Sequence, residues 1–273
     1  MPTLPFFQVD AFAARPFAGN PAAVCLLQSP LSVERMQEIA AENNLSETAF
    51  VDLGAGADAD VLNLRWFTPT VEVDLCGHAT LASGFVVLTE VAPNRISVRF
   101  QTRSGELTVA RGATDGELLM DLPISRPQPV DGPMRDRVAA AARLPVRDVV
   151  RGASAYFAEV DSAETVRAAA PELTAVAALG TGLCLTASGA GDPDGQADFV
   201  SRFFAPGFGI AEDPVTGSAH CTLAPYWGAR LGKTRLRARQ VSRRVGELTC
   251  EVLDAQVRVG GQCQLVITGQ LRG

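Results

Sequence analysis

The chain has 273 residues, 47% of them apolar and 20% charged, with 24 basic and 30 acidic side chains and a formal net charge of −6. This is the composition of a globular protein that can bury a large core without staples, and the length suggests two domains or one large one. The acidic balance excludes nucleic acid as the main partner, because phosphate binding needs a concentrated positive field.

At the N-terminus, MPTLPFFQVDAF has no basic n-region and no long apolar run, so it is not read as a signal peptide. No stretch reaches the roughly 18 uninterrupted apolar residues of a membrane span. Residues 5–12 and 22–27 read as strands around the turn-rich segment Arg15-Pro16-Phe17-Ala18-Gly19-Asn20-Pro21. Residues 32–43 read as a helix capped by Ser32, with Val33, Met36, Ile39 and Ala40 on one face and Asn43-Asn44 as its stop. Strands follow at 48–53 and 61–67, then a helix from Gly77 through Leu88, then strands near 96–100, 106–111 and 117–122. Three prolines between Pro123 and Pro129 stiffen the chain and interrupt ladders, which marks a domain crossover. Beyond it come a helix at 133–143, strands near 155–160 and 182–187 flanking a helix at 162–169, and the turn-rich loop Gly189–Gly195. A strand at 197–204, a helix from Gly217 to about Leu231, and strands near 234–240, 247–253, 255–260 and 263–270 close the chain.

The two halves echo each other. Trp66-Phe67-Thr68-Pro69 leads to Cys76-Gly77-His78-Ala79-Thr80 and an apolar helix; Phe203-Phe204-Ala205-Pro206 leads to Thr216-Gly217-Ser218-Ala219-His220 and another. Such repetition points to two pseudo-symmetric domains, each with a glycine-opened central helix.

Several side chains suit chemistry. A helix N-terminus offers unpaired N–H groups and partial positive charge, and glycine there lets a ligand approach, so Gly77 with His78 and Gly217 with Ser218 are candidate carboxylate sites; the alternative is a plain helix start. Glu47, just before an apolar strand, is a candidate proton carrier if partly desolvated, or else a surface or capping glutamate. His78 and His220 make a poor metal site on their own; His78 suits an acid or electrostatic role, or a buried, hydrogen-bonded one. Asp213, before Pro214, could orient His78 or a substrate nitrogen, or could cap the next helix. Cys76 at the helix start is a candidate base or nucleophile, whereas Cys221 lies about a turn into its helix, which leaves two-thiol chemistry weakly supported. Cys25, Cys76, Cys184, Cys221, Cys250 and Cys263 form no C-x-x-C pair and no zinc spacing, which reads as a reducing cytoplasm with thiols as small buried hydrophobes. The basic cluster Lys233, Arg235, Arg237, Arg239, Arg243 and Arg244 reads as a solvated face, with an anion or partner patch as the alternative.

Four blocks together resemble the PhzF-like phenazine-biosynthesis family: Asp10-Ala-Phe with Arg15 to Val24; Glu42-Asn-Asn-Leu-Ser-Glu-Thr48; Asp74-Leu-Cys-Gly-His-Ala-Thr80; and Gly209 to His220 with Pro225-Tyr-Trp227. The resemblance implies an α+β, diaminopimelate-epimerase-like fold of two similar domains, each a curled, mostly antiparallel sheet around a central helix, with the active site in the cleft between them. On it the domains are 1–123, joined by the final strand 263–273, and 124–262. It implies a homodimer without metal or organic cofactor, a small carboxylate substrate, and an activity like the isomerisation of trans-2,3-dihydro-3-hydroxyanthranilate, a proton shift. It places the catalytic glutamate at Glu47, its assisting histidine at His78 and an aspartate at Asp213. The carboxylate donors fall at Gly77, Gly217 and Ser218, with Asn20 and Cys76 also at the substrate. Cys76-Gly-His-Ala79 stands where the phenazine enzyme resembles Ala-Gly-His-Pro, which bears on the substrate more than on the proton chemistry. Two rival expectations are an epimerase or racemase of amino-acid-like substrates using Cys76, and a non-enzymatic metabolite-binding or protein-interaction role.

Overall fold

A computed structural model of the chain describes residues 3–54, 56, 59–193 and 195–272. Met1, Pro2 and Gly273, at the ends of the expected first domain and final strand, and Asp194, in the expected 189–195 loop, lie outside the described residues, as do Ala55, Ala57 and Asp58. The chain divides into two compact units, one running to Asp121 and resuming at Gly260, the other from Leu122 to Val259. The first carries β1 (Thr3–Ala11), β2 (Asn20–Leu27), α1 (Val33–Asn43), β3 (Glu47–Asp52), β4 (Val61–Phe67), β5 (Glu72–Val73), α2 (Gly77–Val86), β6 (Ser97–Thr102), β7 (Gly105–Arg111) and β8 (Glu117–Pro123). The second carries β9 (Gln128–Pro129), α3 (Gly132–Ala142), β10 (Asp148–Arg151), β11 (Ala155–Glu159), α4 (Ala163–Ala168) and α5 (Leu173–Ala177). It continues with β12 (Gly182–Ser188), β13 (Phe199–Ala205), β14 (Ile210–Asp213), α6 (Gly217–Leu231), β15 (Arg235–Gln240) and β16 (Gly246–Val252), and the last strand, β17 (Gln256–Arg272), starts there and ends in the first unit.

In the first unit β1 is antiparallel to β2 and to the later part of β17. Next, β2 is parallel to β3, β3 antiparallel to β4, β4 antiparallel to β5 and parallel to β6, and β6, β7 and β8 run antiparallel. Helix α1 starts where Ser32 Oγ accepts the Arg35 N–H and stops where left-handed Asn44 donates to Ala40 O. Its buried residues Met36, Ile39 and Ala40 pack on Leu4, Cys25, Leu27, Phe50 and Phe67. Val33, expected on that face, is exposed; it opens the helix, and the apolar contact begins a turn later at Met36.

Helix α2 is buried on nearly every side and packs on β1, β2, β3 and β7. A helix without a polar face needs this enclosure. Its buried hydroxyls are satisfied internally: Thr80 donates to Cys76 O at 2.6 Å and Ser83 to Ala79 O at 2.7 Å. A Cβ on Gly84 would lie 2.4 Å from Val109 Cγ1, so glycine sets the approach of α2 to β7. The helix expected through Leu88 ends at Val86 and widens into a π-helical turn, Val87–Val91. Arg111 takes up carbonyls in this turn and just beyond it, donating to Leu88 O at 2.7 Å and Pro93 O at 3.2 Å.

The second unit repeats the pairing order. Strands β10 and β11 are antiparallel, β11 and β12 parallel, β12 and β13 antiparallel, β13 antiparallel to β14 and parallel to β15, and β15 antiparallel to β16. The repeat reaches side chains. Arg65 on β4 grips Glu72 on β5 bidentately at 2.7 and 2.8 Å and covers the Phe67 ring. Arg202 on β13 grips Glu212 on β14 at the same distances and covers Phe204. Helix α6 is enclosed as far as Gly228, with its last turn exposed, and contains Pro225, which has no N–H for the carbonyl four residues back. Ser125 N–H supplies that donor to Cys221 O at 3.1 Å.

Two further expectations are corrected, and one set of elements was missed. Residues 255–260 and 263–270 are one strand, β17, because Gly260-Gly261 stays extended; the irregularity is a bulge opposite Gln8 and Val9. Arg239 is not on a solvated face: its side chain is 12% exposed and donates at 2.7 Å to the fully buried Asp192 carboxylate, which Arg167 also holds. A buried carboxylate needs such partners. Finally, β5, β9, β10, β14 and α5 went unread, being of two to five residues and too short for periodicity.

Gly84→Ala is expected to destabilise the fold by about 1–3 kcal/mol through overpacking against Val109. Urea unfolding of the two proteins measures it, and an unchanged midpoint would show that β7 yields freely.

Candidate active site

Strand register gathers the site at one end of the first unit. Asn20 opens β2 opposite Ala11, the last residue of β1, and Glu47 opens β3 in register with Ala22. Glu47 is thus the first strand residue rather than the one before it. The N-terminus of α2 adds Cys76, Gly77 and His78.

These side chains meet around the His78 ring. Its Nε2 lies 3.2 Å from Glu47 Oε2, with side-chain exposures of 7% and 12%. Its Nδ1 lies 3.3 Å from Asn20 Nδ2 and 3.5 Å from Cys76 Sγ. An amide NH2 only donates, so Nδ1 is the acceptor and the ring proton belongs on Nε2, the nitrogen facing the carboxylate. The 3.2 Å approach is not aligned as a hydrogen bond. Burial pushes the His78 pKa down to about 4, so the ring is neutral at pH 7. The sequence left His78 open between an electrostatic and a buried role; it is a buried neutral donor facing an acid.

The β1–β2 connection holds Asn20 in place. Asp10, 1% exposed, accepts the Phe17 N–H at 2.8 Å. Phe12 and Phe17 take positive φ of 57° and 67°, and at Gly19, with φ of 64°, a Cβ would lie 2.2 Å from Ala11 O. Only glycine fits there.

In α2, Cys76 is the N-cap residue and makes no side-chain cap, so the first-turn N–H groups of Gly77 and His78 are not claimed by it. Helix α6 opens in the same way at Thr216, followed by Gly217 and Ser218. Thr216 N–H donates to Gln240 Oε1 at 2.9 Å, Thr216 Oγ1 to Asp213 Oδ2 at 2.5 Å, and Gln240 Nε2 to Asp213 O at 2.7 Å. Asp213 therefore anchors the helix start without acting as its N-cap. Position by position, Ser218 matches His78 and His220 matches Thr80. The latter two each point a side chain at the carbonyl four residues back, His220 Nδ1 lying 2.8 Å from Thr216 O. His220 is fully buried and structural.

The structure brings Asn20, Glu47, Cys76, Gly77 and His78 together in the first unit, and Asp213, Gly217 and Ser218 around the start of α6 in the second. Among the described residues, donor atoms of Glu47, Cys76 and His78 lie within 4.8 Å of one another, but Cys76 faces Nδ1 and Glu47 faces Nε2 on the other side of the ring, so the three do not fit one metal ion. Sequence reasoning passed over Asp10 as the loop's anchor and gave no physical role to Asn20. The only cue was their place on either side of a segment rich in turn residues.

Comparison with known proteins identifies the family and the fold. Residues 9–269 match the family described as phenazine biosynthesis-like protein, PhzC-PhzF. An uncharacterised isomerase of Pseudomonas aeruginosa is 48% identical over 269 residues, covering 98% of each chain. The crystal structure of a PhzF-family phenazine biosynthesis protein from Enterococcus faecalis superposes with a TM-score of 0.88 at 41% identity, covering 99% of this chain and 100% of that one. A hydroxyproline epimerase from Agrobacterium vitis, at 10% identity and a TM-score of 0.61 over 98% of this chain and 91% of that one, shares the fold.

Because both histidine pKa values fall from 6.5 to about 4, the unfolded chain binds protons in that window and the native chain does not. Stability is therefore expected to be full above pH 6.5 and to drop as pH falls toward 4, by about 3 kcal/mol per histidine. Urea titrations at pH 7, 5.5 and 4.5 measure this, and His220→Gln should flatten part of the slope; a pH-independent midpoint would contradict burial of neutral rings.

Proposed function

The chain belongs to the phenazine biosynthesis-like family, whose fold is the diaminopimelate-epimerase-like α+β fold, and from that premise we propose that it is an isomerase moving a proton within a small carboxylic acid, with Glu47 as the single acid/base. The observation that carries the reading is the Glu47 carboxylate, nearly buried and 3.2 Å from a neutral His78 ring. The P. aeruginosa relative's name, an isomerase, is in keeping with it.

In this reading Glu47 takes a proton from a carbon activated by the substrate's unsaturation and carboxylate. The electron pair shifts along the conjugated system, and Glu47 returns the proton at the far carbon. No oxidant or second reactant enters. Neutral His78 keeps its proton on Nε2 and faces the carboxylate without placing a positive charge beside it; a charged imidazolium would depress a carboxylate's proton affinity. First-turn N–H groups of Gly77 and His78 hold negative charge on the substrate carboxylate; Gly217 and Ser218 open α6 as those two open α2 and are proposed as carboxylate donors of their own unit. Asp213 fixes Thr216 and so the start of α6. The chemistry needs no cofactor, and the physiological unit is proposed to be a cytoplasmic homodimer.

Racemisation with Cys76 and Glu47 as two bases fits less well. Two bases flanking one carbon, each about 3 Å from it, stand about 6 Å apart, whereas these donor atoms lie within 4.8 Å.

Glu47→Gln is expected to lower turnover by roughly 10²–10⁴-fold while leaving the fold intact, and Cys76→Ala to retain most of it. Proton NMR in deuterated buffer, with dihydro-hydroxyanthranilate and amino-acid-like carboxylic acids as substrates, reads both. Substantial activity in Glu47→Gln would remove the assignment, and abolition in Cys76→Ala would favour the two-base racemase.

A further inference from the structure

We propose that Phe17 is a specificity-determining residue, whose ring stands at the edge of the Glu47 site as a stacking surface for the unsaturated part of a small carboxylic acid. The turn that carries it is built against local preference. Ala18 N–H donates to Arg15 O at 3.3 Å, which closes a four-residue turn with Pro16 and Phe17 at its centre. Proline suits the first central position, and a positive φ at the second calls for glycine or asparagine. This chain places a phenylalanine there, at φ 67°. A Cβ in that region crowds the backbone.

What offsets such strain elsewhere does not apply at Phe17. Among the described residues, the other non-glycine residues with positive φ are Phe12, Asn44, Arg143 and Val245. Asn44 and Arg143 end α1 and α3, where a left-handed residue completes the stop. Val245 is partly buried, and Phe12 is fully buried, so its ring gains a place in the core. Phe17 is 70% exposed and gains none. Its conformation is held through the backbone instead, by the buried Asp10 carboxylate that accepts its N–H at 2.8 Å. Strain that the surroundings hold in place, without a packing gain, is a mark of ligand-contacting segments.

The chain fixes where the ring stands. Asp10, which ties down the Phe17 amide, lies opposite Pro21 across the β1–β2 pair, one residue from Asn20. Phe17 itself comes three residues before Asn20, so their Cα atoms are at most about 11 Å apart. Asn20 Nδ2 in turn lies 3.3 Å from His78 Nδ1. An acid whose proton shifts along a conjugated system carries a planar π face beside its carboxylate, and an aromatic ring favours such a face over a saturated one through offset or edge-to-face contact. The proposal rests on the carboxylic-acid reading of the site, not on which group moves the proton.

Two measurements on the full chain test it without turnover. The first is thermal unfolding of Phe17→Gly, which relieves the strain and removes only an exposed ring; the midpoint should rise by about 2 °C. A midpoint that stays or falls overturns the premise that strain is kept for the ring, and a changed sedimentation coefficient assigns the ring to a contact between copies instead. The second is a titration with benzoate and with cyclohexanecarboxylate, equal in charge and close in size, followed by the amide NMR signals of Gly77 and His78. Phe17→Leu, which keeps bulk and strain but loses the π face, should lower the ratio of benzoate to cyclohexanecarboxylate affinity by about three- to tenfold, and Phe17→Tyr should keep it. A ratio unchanged in Phe17→Leu while both acids bind overturns the assignment of Phe17 alone. Failure of both acids to shift those signals in the unsubstituted chain counts against the carboxylic-acid reading, and this proposal falls with it.

Discussion

A helix with no polar face must be enclosed, and much of this protein follows from meeting that demand twice. Helix α2 is enclosed along its length and α6 as far as Gly228, and the strands of the two units repeat one pairing order. Enclosing the sides leaves the N-terminus as the place where a helix presents N–H groups, so polar chemistry collects there. Side-chain hydroxyls inside bond back to the helix itself, and an arginine–glutamate clamp beside each sheet fixes the short strand that leads into it.

At the α2 terminus the decisive quantity is the charge of His78. Burial keeps the ring neutral, and Asn20 on Nδ1 sets the tautomer that turns an N–H toward Glu47. A neutral donor can orient a carboxylate without stabilising its charged form as strongly as a cation would. That arrangement suits a group that must both take and return a proton. Cys76 completes the ring's surroundings, its Sγ lying 3.5 Å from Nδ1.

What could be read from the chain followed signal strength. The long strands, α1 with its Ser32 cap and Asn44 stop, and the two glycine-opened helices all carry local cues of several residues, and each is in the structure. The echo around Cys76-Gly77 and Thr216-Gly217 was legible, but its depth was not: Arg65 with Glu72 and Arg202 with Glu212 are pairs made across strands, and pattern reading of one strand does not see them. The same limit hid Arg239, which looked like one more surface cation until Asp192 was found beneath it. Glu47 and His78 were named singly on weak local grounds; that they touch is a fact of register, set by β3 starting at Glu47 beside β2.

The central claim is that one carboxylate both removes and returns the proton. Substrate deuterated at the donating carbon, converted in ordinary water under single-turnover conditions, tests it most directly. A single base that exchanges slowly with solvent delivers part of the label to the accepting carbon of the product, and that transfer should vanish with activity in Glu47→Gln. Product free of label at that carbon, with the label wholly in solvent and turnover surviving Glu47→Gln, would contradict the account.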